Sequence, residues 1–248
     1  MSPGGFMHFA NSRGAGAVQA PPPPAIECRE VEGYILGCDL GQANDFTALS
    51  ILEKHRESST VVEQKGFEPP ASITTTRNVF HLRHLQRLKL GTDYPDVVNI
   101  VGTMLKSLPQ AKNAPALVTD ATGVGRPVID MMQKAGLRPV AITITGGFDE
   151  NRVLSNEWKI PKRNLVSTLA VLLQSGRLKV APELREAETF IGELSNFKVK
   201  ISAAGHDSYN AWRESIHDDL VLSVALAAWW AERPVTPTHI NLGNWMDR

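Results

Sequence analysis

The segment Tyr34-Ile35-Leu36-Gly37-Cys38-Asp39-Leu40-Gly41 is a short apolar run closed by an aspartate and a glycine. Runs of this length, rich in large apolar side chains, form strands buried on both faces. A carboxylate at the end of such a strand costs on the order of several kcal/mol unless a cation or a hydrogen-bond donor meets it. The chain answers Asp39 with more carboxylate. Ala116-Leu117-Val118-Thr119-Asp120 is a second buried strand that ends in aspartate, and His217-Asp218-Asp219-Leu220 sets an acidic pair ahead of an apolar helix. That pattern asks for a divalent metal.

The remaining elements follow from periodicity and punctuation. Phe46 to Glu53 and Thr60 to Phe67 predict two strands joined by a charged turn at Lys54 to Ser59, an antiparallel hairpin, with Asn78 to Leu85 as a further strand. Tyr94-Pro95-Asp96 opens a helix to about Leu108, with Val97, Ile100, Val101, Met104, Leu105 and Leu108 at helical spacing. A helix is expected from Pro127 to Ala135, with proline in its first turn and Gly136 as its stop. Pro139 to Thr143 is a short strand, and Gly146 to Lys159, without periodicity, a mobile loop. Helices are expected over Pro161 to Ser175, Pro182 to Leu194 and about His217 to Ala231, with short strands at Leu178 to Val180 and Asn196 to Ile201. The sum is an α/β fold: a mixed sheet, antiparallel at its hairpin and parallel in its second half, covered by helices on both faces.

Residues 1–30, rich in Gly and Ala and ending near Pro21-Pro22-Pro23-Pro24, predict a disordered leader; 31–233 form the domain, and 234–248 a polar tail. With 26 basic and 26 acidic residues the chain is not a globally basic nucleic-acid binder, though a local basic groove remains open to it. Cys28 and Cys38 give neither a disulfide framework nor a zinc quartet, which places the chain in a reducing cytoplasm. The longest apolar run, Leu220 to Ala231, is about half a bilayer span, so no membrane is involved.

Two strands that both end in aspartate set like charges side by side where open α/β sheets bind ligands, at the carboxyl ends of strands. Asp218 or Asp219 alone would serve as a helix cap, but a cap needs one aspartate, and this pair opens a helix apolar on most sides. Asp45, across the turn from Asp39, is either turn chemistry or an accessory ligand. Oxygen ligands without clustered Cys or His select Mg²⁺ or Mn²⁺, and two such ions suit phosphodiester hydrolysis. Gly123 and Gly125 either cradle phosphate or permit a tight strand-to-helix turn. Lys159, Lys162 and Arg163 crowd a helix start, where cations oppose the dipole and an anionic backbone would relieve them; solvated surface charge is the alternative. Arg126 is a similar, less specific candidate. His217 is either a positioning group or structural.

Four segments carry a family resemblance: Gly37-Cys38-Asp39-Leu40-Gly41 through Asp45, Val118-Thr119-Asp120-Ala121-Thr122-Gly123-Val124-Gly125, Pro161-Lys162-Arg163-Asn164-Leu165-Val166, and His217-Asp218-Asp219-Leu220-Val221-Leu222-Ser223-Val224-Ala225-Leu226-Ala227. Together they resemble the nuclease domain of the large terminase subunit of tailed bacteriophages, which has an RNase H-like (RuvC-like) fold. The resemblance implies metal ligation by Asp39, Asp120 and the Asp218/Asp219 pair, with Asp45 as accessory. It also implies metal-dependent cutting of double-stranded DNA concatemers during genome packaging in a host cytoplasm. The chain has no G-x-x-x-x-G-K-[ST] motif, so a separate packaging ATPase is expected beside small terminase and portal proteins. Other readings of the same residues are a RuvC-like resolvase, an actin-like or sugar-kinase-like ATPase, and an idle DNA-binding packaging module.

Overall fold

The computed structural model describes residues 28–41, 45–63, 71–123, 125–203 and 218–233. Among these, eight strands form one sheet in the order β6-β7-β5-β4-β1-β2-β3-β8. The centre is β1 (Cys28–Asp39), paired antiparallel with β2 (Ala48–Glu63) and parallel with β4 (Ala116–Asp120). On one side β3 (Ala71–Arg87) pairs antiparallel with β2, and β8 (Leu178–Val180) runs parallel to β3. On the other, β5 (Pro139–Thr145) and β7 (Glu157–Pro161) continue the parallel run, and β6 (Asn151–Leu154) closes the edge antiparallel to β7. This is the expected mixed sheet, antiparallel at its hairpin strands and parallel through β1, β4, β5 and β7.

Helices cover both faces. The helices α1 (Tyr94–Ser107) and α2 (Gly125–Lys134) bury Val97, Val101, Ile129 and Met132 with Leu36, Cys38 and Leu49 on one face. On the other, α3 (Lys162–Gln174), α4 (Ala187–Ala203) and α5 (Asp219–Ala231) pack Leu165, Leu169, Phe190 and Leu220 over Ile35, Val118 and Ile142. Strand alternation thus assigns Ile35, Gly37 and Asp39 to the α5 face. Of α5's thirteen residues every one but Trp230 is buried, which explains why its sequence lacks a polar stripe.

The seat of α5 on the sheet is Gly37. A Cβ there would lie 1.9 Å from the Ser223 carbonyl oxygen and 2.8 Å from Ser50 Oγ. Only glycine lets the helix backbone approach so closely.

Several local expectations were overturned. Lys54 to Ser59 is no turn: β2 runs straight through it, because its charges find partners across the strands, with Glu53 on Arg83, Glu57 on Arg29 and Arg77, and Arg56 on Glu32. The hairpin is β2 with β3 instead. Gly146 to Lys159 is not a structureless loop but holds β6 and β7, joined at Ser155-Asn156; β6 is exposed along its length, so no apolar alternation marks it. The alternating run Phe197-Lys198-Val199-Lys200 continues α4 rather than forming a strand, since a helix already nucleated extends at little cost. Residues 182–186 are turns, and α4 begins at Ala187. β1 begins at Cys28, within the stretch assigned to the leader. His217 and the tail 234–248 lie outside the described residues. Among those described, no helix is long and apolar enough to cross a membrane.

Gly37→Ala is expected to destabilise the protein by about 3 kcal/mol or more, or to prevent folding, because the backbone contact cannot yield. Gly192→Ala, at an exposed position of α4 with nothing within 4 Å, should instead stabilise by about 0.5–1 kcal/mol. Urea denaturation of the two variants measures the contrast.

Candidate active site

The parallel strands deliver their carboxyl ends to one edge of the sheet. The β1–β4 pairing runs to Cys38 opposite Thr119, so Asp39 and Asp120 are the next residues along, side by side. Both are buried, at 7% and 8% exposed. Asp120 is braced: the Thr122 backbone N–H donates to its Oδ1 at 2.8 Å, and Thr122 Oγ1 in turn accepts from the Ile144 N–H at 2.8 Å. A positive φ of 78° at Gly123 completes this turn, which gives that glycine a conformational reason to be there. At Gly41 a Cβ would collide with the Asp45 carbonyl 2.2 Å away, so the Asp39–Leu40–Gly41 exit also depends on a glycine.

The start of α5 points at the same edge. Asp219 is its first residue and is 7% exposed, while Asp218 occupies the cap position. Asp218 does not cap: its side chain makes no cap hydrogen bond. Lys162, the first residue of α3 after β7, meets it instead, Nζ to Oδ2 at 2.6 Å. Asp218 is thus held by Lys162 rather than by the helix N-terminus, and both aspartates stand close enough for their charges to act on Asp39.

Two residues that were not among the sequence candidates complete the edge. Arg87, at the end of β3, ion-pairs with Glu193 and lies 3.5 Å from Asp219 Oδ2. Glu193, on α4, accepts the backbone N–H of Val221 at 3.1 Å, which ties α4 to the first turn of α5. Glu193 sits on the apolar stripe of Ala187 and Phe190 at three-residue spacing, and an acid in such a stripe was the available signal.

The electrostatics are unbalanced. Burial pushes the Asp39 carboxyl well above its ordinary range, and the charges of Asp120, Asp219 and Asp218 push it further, with Lys162 opposing. Burial also raises Asp120, against the hydrogen bonds from Thr122. Glu193 is pushed up to about 7, by burial first and by Asp219 and Asp218, against the Val221 N–H and Arg87. Carboxylates raised by burial and by one another are what a divalent cation relieves, and an all-oxygen donor set suits Mg²⁺ or Mn²⁺. The residues therefore fit such an ion. Among the described residues no three of these carboxylates bring oxygens all within 4.8 Å of one another.

The other sequence candidates lie around this edge with differing roles. Asp45 is exposed beyond the Gly41 turn. Arg126 is engaged by Glu157 at 2.5 Å and by Asp130 at 3.5 Å. Arg163 lies over the Phe148 ring at 4.0 Å and donates to the Phe148 carbonyl. Lys159 is exposed on β7. The backbone of Gly125 opens α2.

The fold and edge together define an α/β protein with a buried carboxylate cluster at the carboxyl ends of its parallel strands. No protein-family model matches the sequence, and no curated protein does. Among solved structures the chain is similar to the terminase nuclease domain of human cytomegalovirus, manganese-soaked and inhibitor-bound. That similarity has 13% identity over 80% of this chain and 83% of that one, with a TM-score of 0.45. RuvC of Thermus thermophilus gives 13% identity over 79% and 91%, with a TM-score of 0.32. At that distance neither likeness decides the chemistry, which rests on the residues above.

An acid raised in the fold holds its proton to higher pH than in the unfolded chain. Its contribution to stability is full below the ordinary value of 3.8 and is lost as pH climbs through the raised value. In EDTA the thermal midpoint should accordingly fall as pH rises from 3.8 through the raised value and level off above it. Asp120→Asn keeps the oxygen that accepts from Thr122 but removes the charge. It should flatten this fall and stabilise the metal-free protein near neutrality. Thermal melts over a pH series test it, and a variant less stable than wild type in EDTA would contradict the repulsive cluster.

Proposed function

We propose that the chain is a divalent-metal-dependent endonuclease for double-stranded DNA. The observation that carries this reading is the convergence of Asp39, Asp120 and Asp219, all buried, at one sheet edge, with Asp39 raised by the other carboxylates. A scaffold gains nothing from clustered like charge, whereas metal-assisted phosphodiester hydrolysis requires it. Asp39, Asp120, Asp219 and Asp218 would hold one or two Mg²⁺ or Mn²⁺ ions. Bound there, such ions supply Lewis acidity toward a phosphodiester and lower the pKa of water.

The protein's own residues set the conditions. Gly37 lets α5 descend onto β1 and so fixes Asp219 against the strand ends. Arg87 and Glu193 hold the first turn of α5 in place. Lys162 offsets Asp218 and stands at the entrance of α3, where it would meet an incoming phosphate backbone as the carboxylates take up metal. Lys159 and Arg163 flank it and would extend that contact along DNA. Asp45, exposed on the adjoining turn, would act as accessory ligand only.

The biological setting we infer is genome packaging in a tailed phage or prophage, with a separate ATPase, small terminase and portal protein as partners in the host cytoplasm. Its support is the resemblance carried by the four sequence segments.

Cleavage of supercoiled plasmid and of linear DNA with Mg²⁺, Mn²⁺ or EDTA tests the reading. Cutting should require metal, and Asp39→Asn or Asp120→Asn should lower it at least a hundredfold while the protein stays folded. Lys162→Ala should weaken DNA binding and flatten its dependence on salt. Metal-independent cutting, or wild-type rates in Asp120→Asn, would defeat the assignment.

A further inference from the structure

A second donor set lies elsewhere on the sheet, on the face that carries Tyr34. Glu53 and His55 alternate along β2, and His81 stands opposite Glu53 on β3. One carboxylate oxygen and one nitrogen from each ring all fall within 4.8 Å of one another. The two imidazole rings have centroids 4.3 Å apart and are tilted by 39°. His55 is only 5% exposed; its Nε2 is paired with Glu53 Oε1, and among the described residues its Nδ1 makes no hydrogen bond. A buried ring nitrogen left unsatisfied is costly, and a ligand at the ring would relieve it.

Glu53 is already oriented for one. Its Oε2 accepts from Arg83 Nε at 2.8 Å, which turns Oε1 toward His55; the longer 3.1 Å contact from Arg83 Nη2 to Oε1 is the one that has to yield. Arg83 is half exposed and free to adjust, and a partner on the second oxygen is how proteins aim a ligating carboxylate.

We propose that Glu53, His55 and His81 bind one divalent transition-metal ion, zinc by its two-nitrogen, one-oxygen donor set, at a site separate from the aspartate cluster. Asp39 pairs with Ala48 and Tyr34 with Glu53, so the two sites are five residues apart along the strands, roughly 16 Å at about 3.3 Å per residue. The ion would tie β2 to β3 midway along their pairing and keep a fourth position open.

The test is a Zn²⁺ titration of the chelator-treated full chain by calorimetry, repeated with Asp120→Asn, His81→Gln and Glu53→Gln. The wild type and Asp120→Asn should bind one Zn²⁺ with the same affinity, and His81→Gln and Glu53→Gln should bind it at least tenfold more weakly. Should those variants fail to fold, X-ray absorption of the zinc-loaded wild type decides, with two imidazole nitrogens expected at the ion. Zinc binding lost in Asp120→Asn but kept in His81→Gln, an all-oxygen shell, or no binding by the wild type would overturn the site.

Discussion

The contact on which the structure depends is that of a helix backbone against a strand at Gly37. An almost wholly apolar helix, α5, can lie flat on the centre of the sheet only because that position has no side chain. Each Leu or Val it buries contributes roughly 1.5–3 kcal/mol, which is ample to hold the helix there. The helix cannot take that seat without also bringing Asp219, its first residue, to the ends of β1 and β4. Hydrophobic burial thus drives an arrangement that electrostatics opposes. The fold holds repelling carboxylates together with energy drawn from the core.

The cations nearby do not cancel this repulsion. Lys162 answers Asp218, and Arg87 answers Glu193 first and Asp219 at a longer distance. Asp39 and Asp120 feel Lys162 through space, and both are raised. Among the described residues the cluster is left short of positive charge at the point where an incoming ion would have the most effect. Lys162 and Arg87 also fix the position of the side chains they touch, so the cluster is ordered although it is not neutral.

Much of this was legible in the chain itself. Buried strands ending in Asp39 and Asp120 and an acidic pair before an apolar helix are strong local patterns, and they placed both the sheet and the carboxylates. What local pattern could not show was which charges meet across strands. Lys54 to Ser59 has the composition of a turn and becomes a strand because Glu32, Arg77 and Arg83 come from elsewhere to pair with it and its neighbours. Edge strands such as β6 bury nothing and so carry no alternation. Arg87 and Glu193 were missed for the same reason as the charged strand: each has meaning only through a partner more than 100 residues away or on another element.

The sheet also contains its own control for the reading of the cluster. Glu53 and Glu57 are as deeply buried as the aspartates, yet their carboxyls are held below the ordinary range, because although burial raises them, Arg83 in one case and Arg29 and Arg77 in the other more than compensate. Where this fold needs a buried carboxylate merely as a structural anion, it supplies arginine in bidentate contact. Among the described residues it does not do so for Asp39 or Asp120. Both groups expose little surface, but the aspartates are set deeper in the protein and, among the described residues, have no guanidinium against them; the two differences act together. An edge that forgoes the compensation used a few residues away along the same strands has room for a cation that the polypeptide does not itself supply.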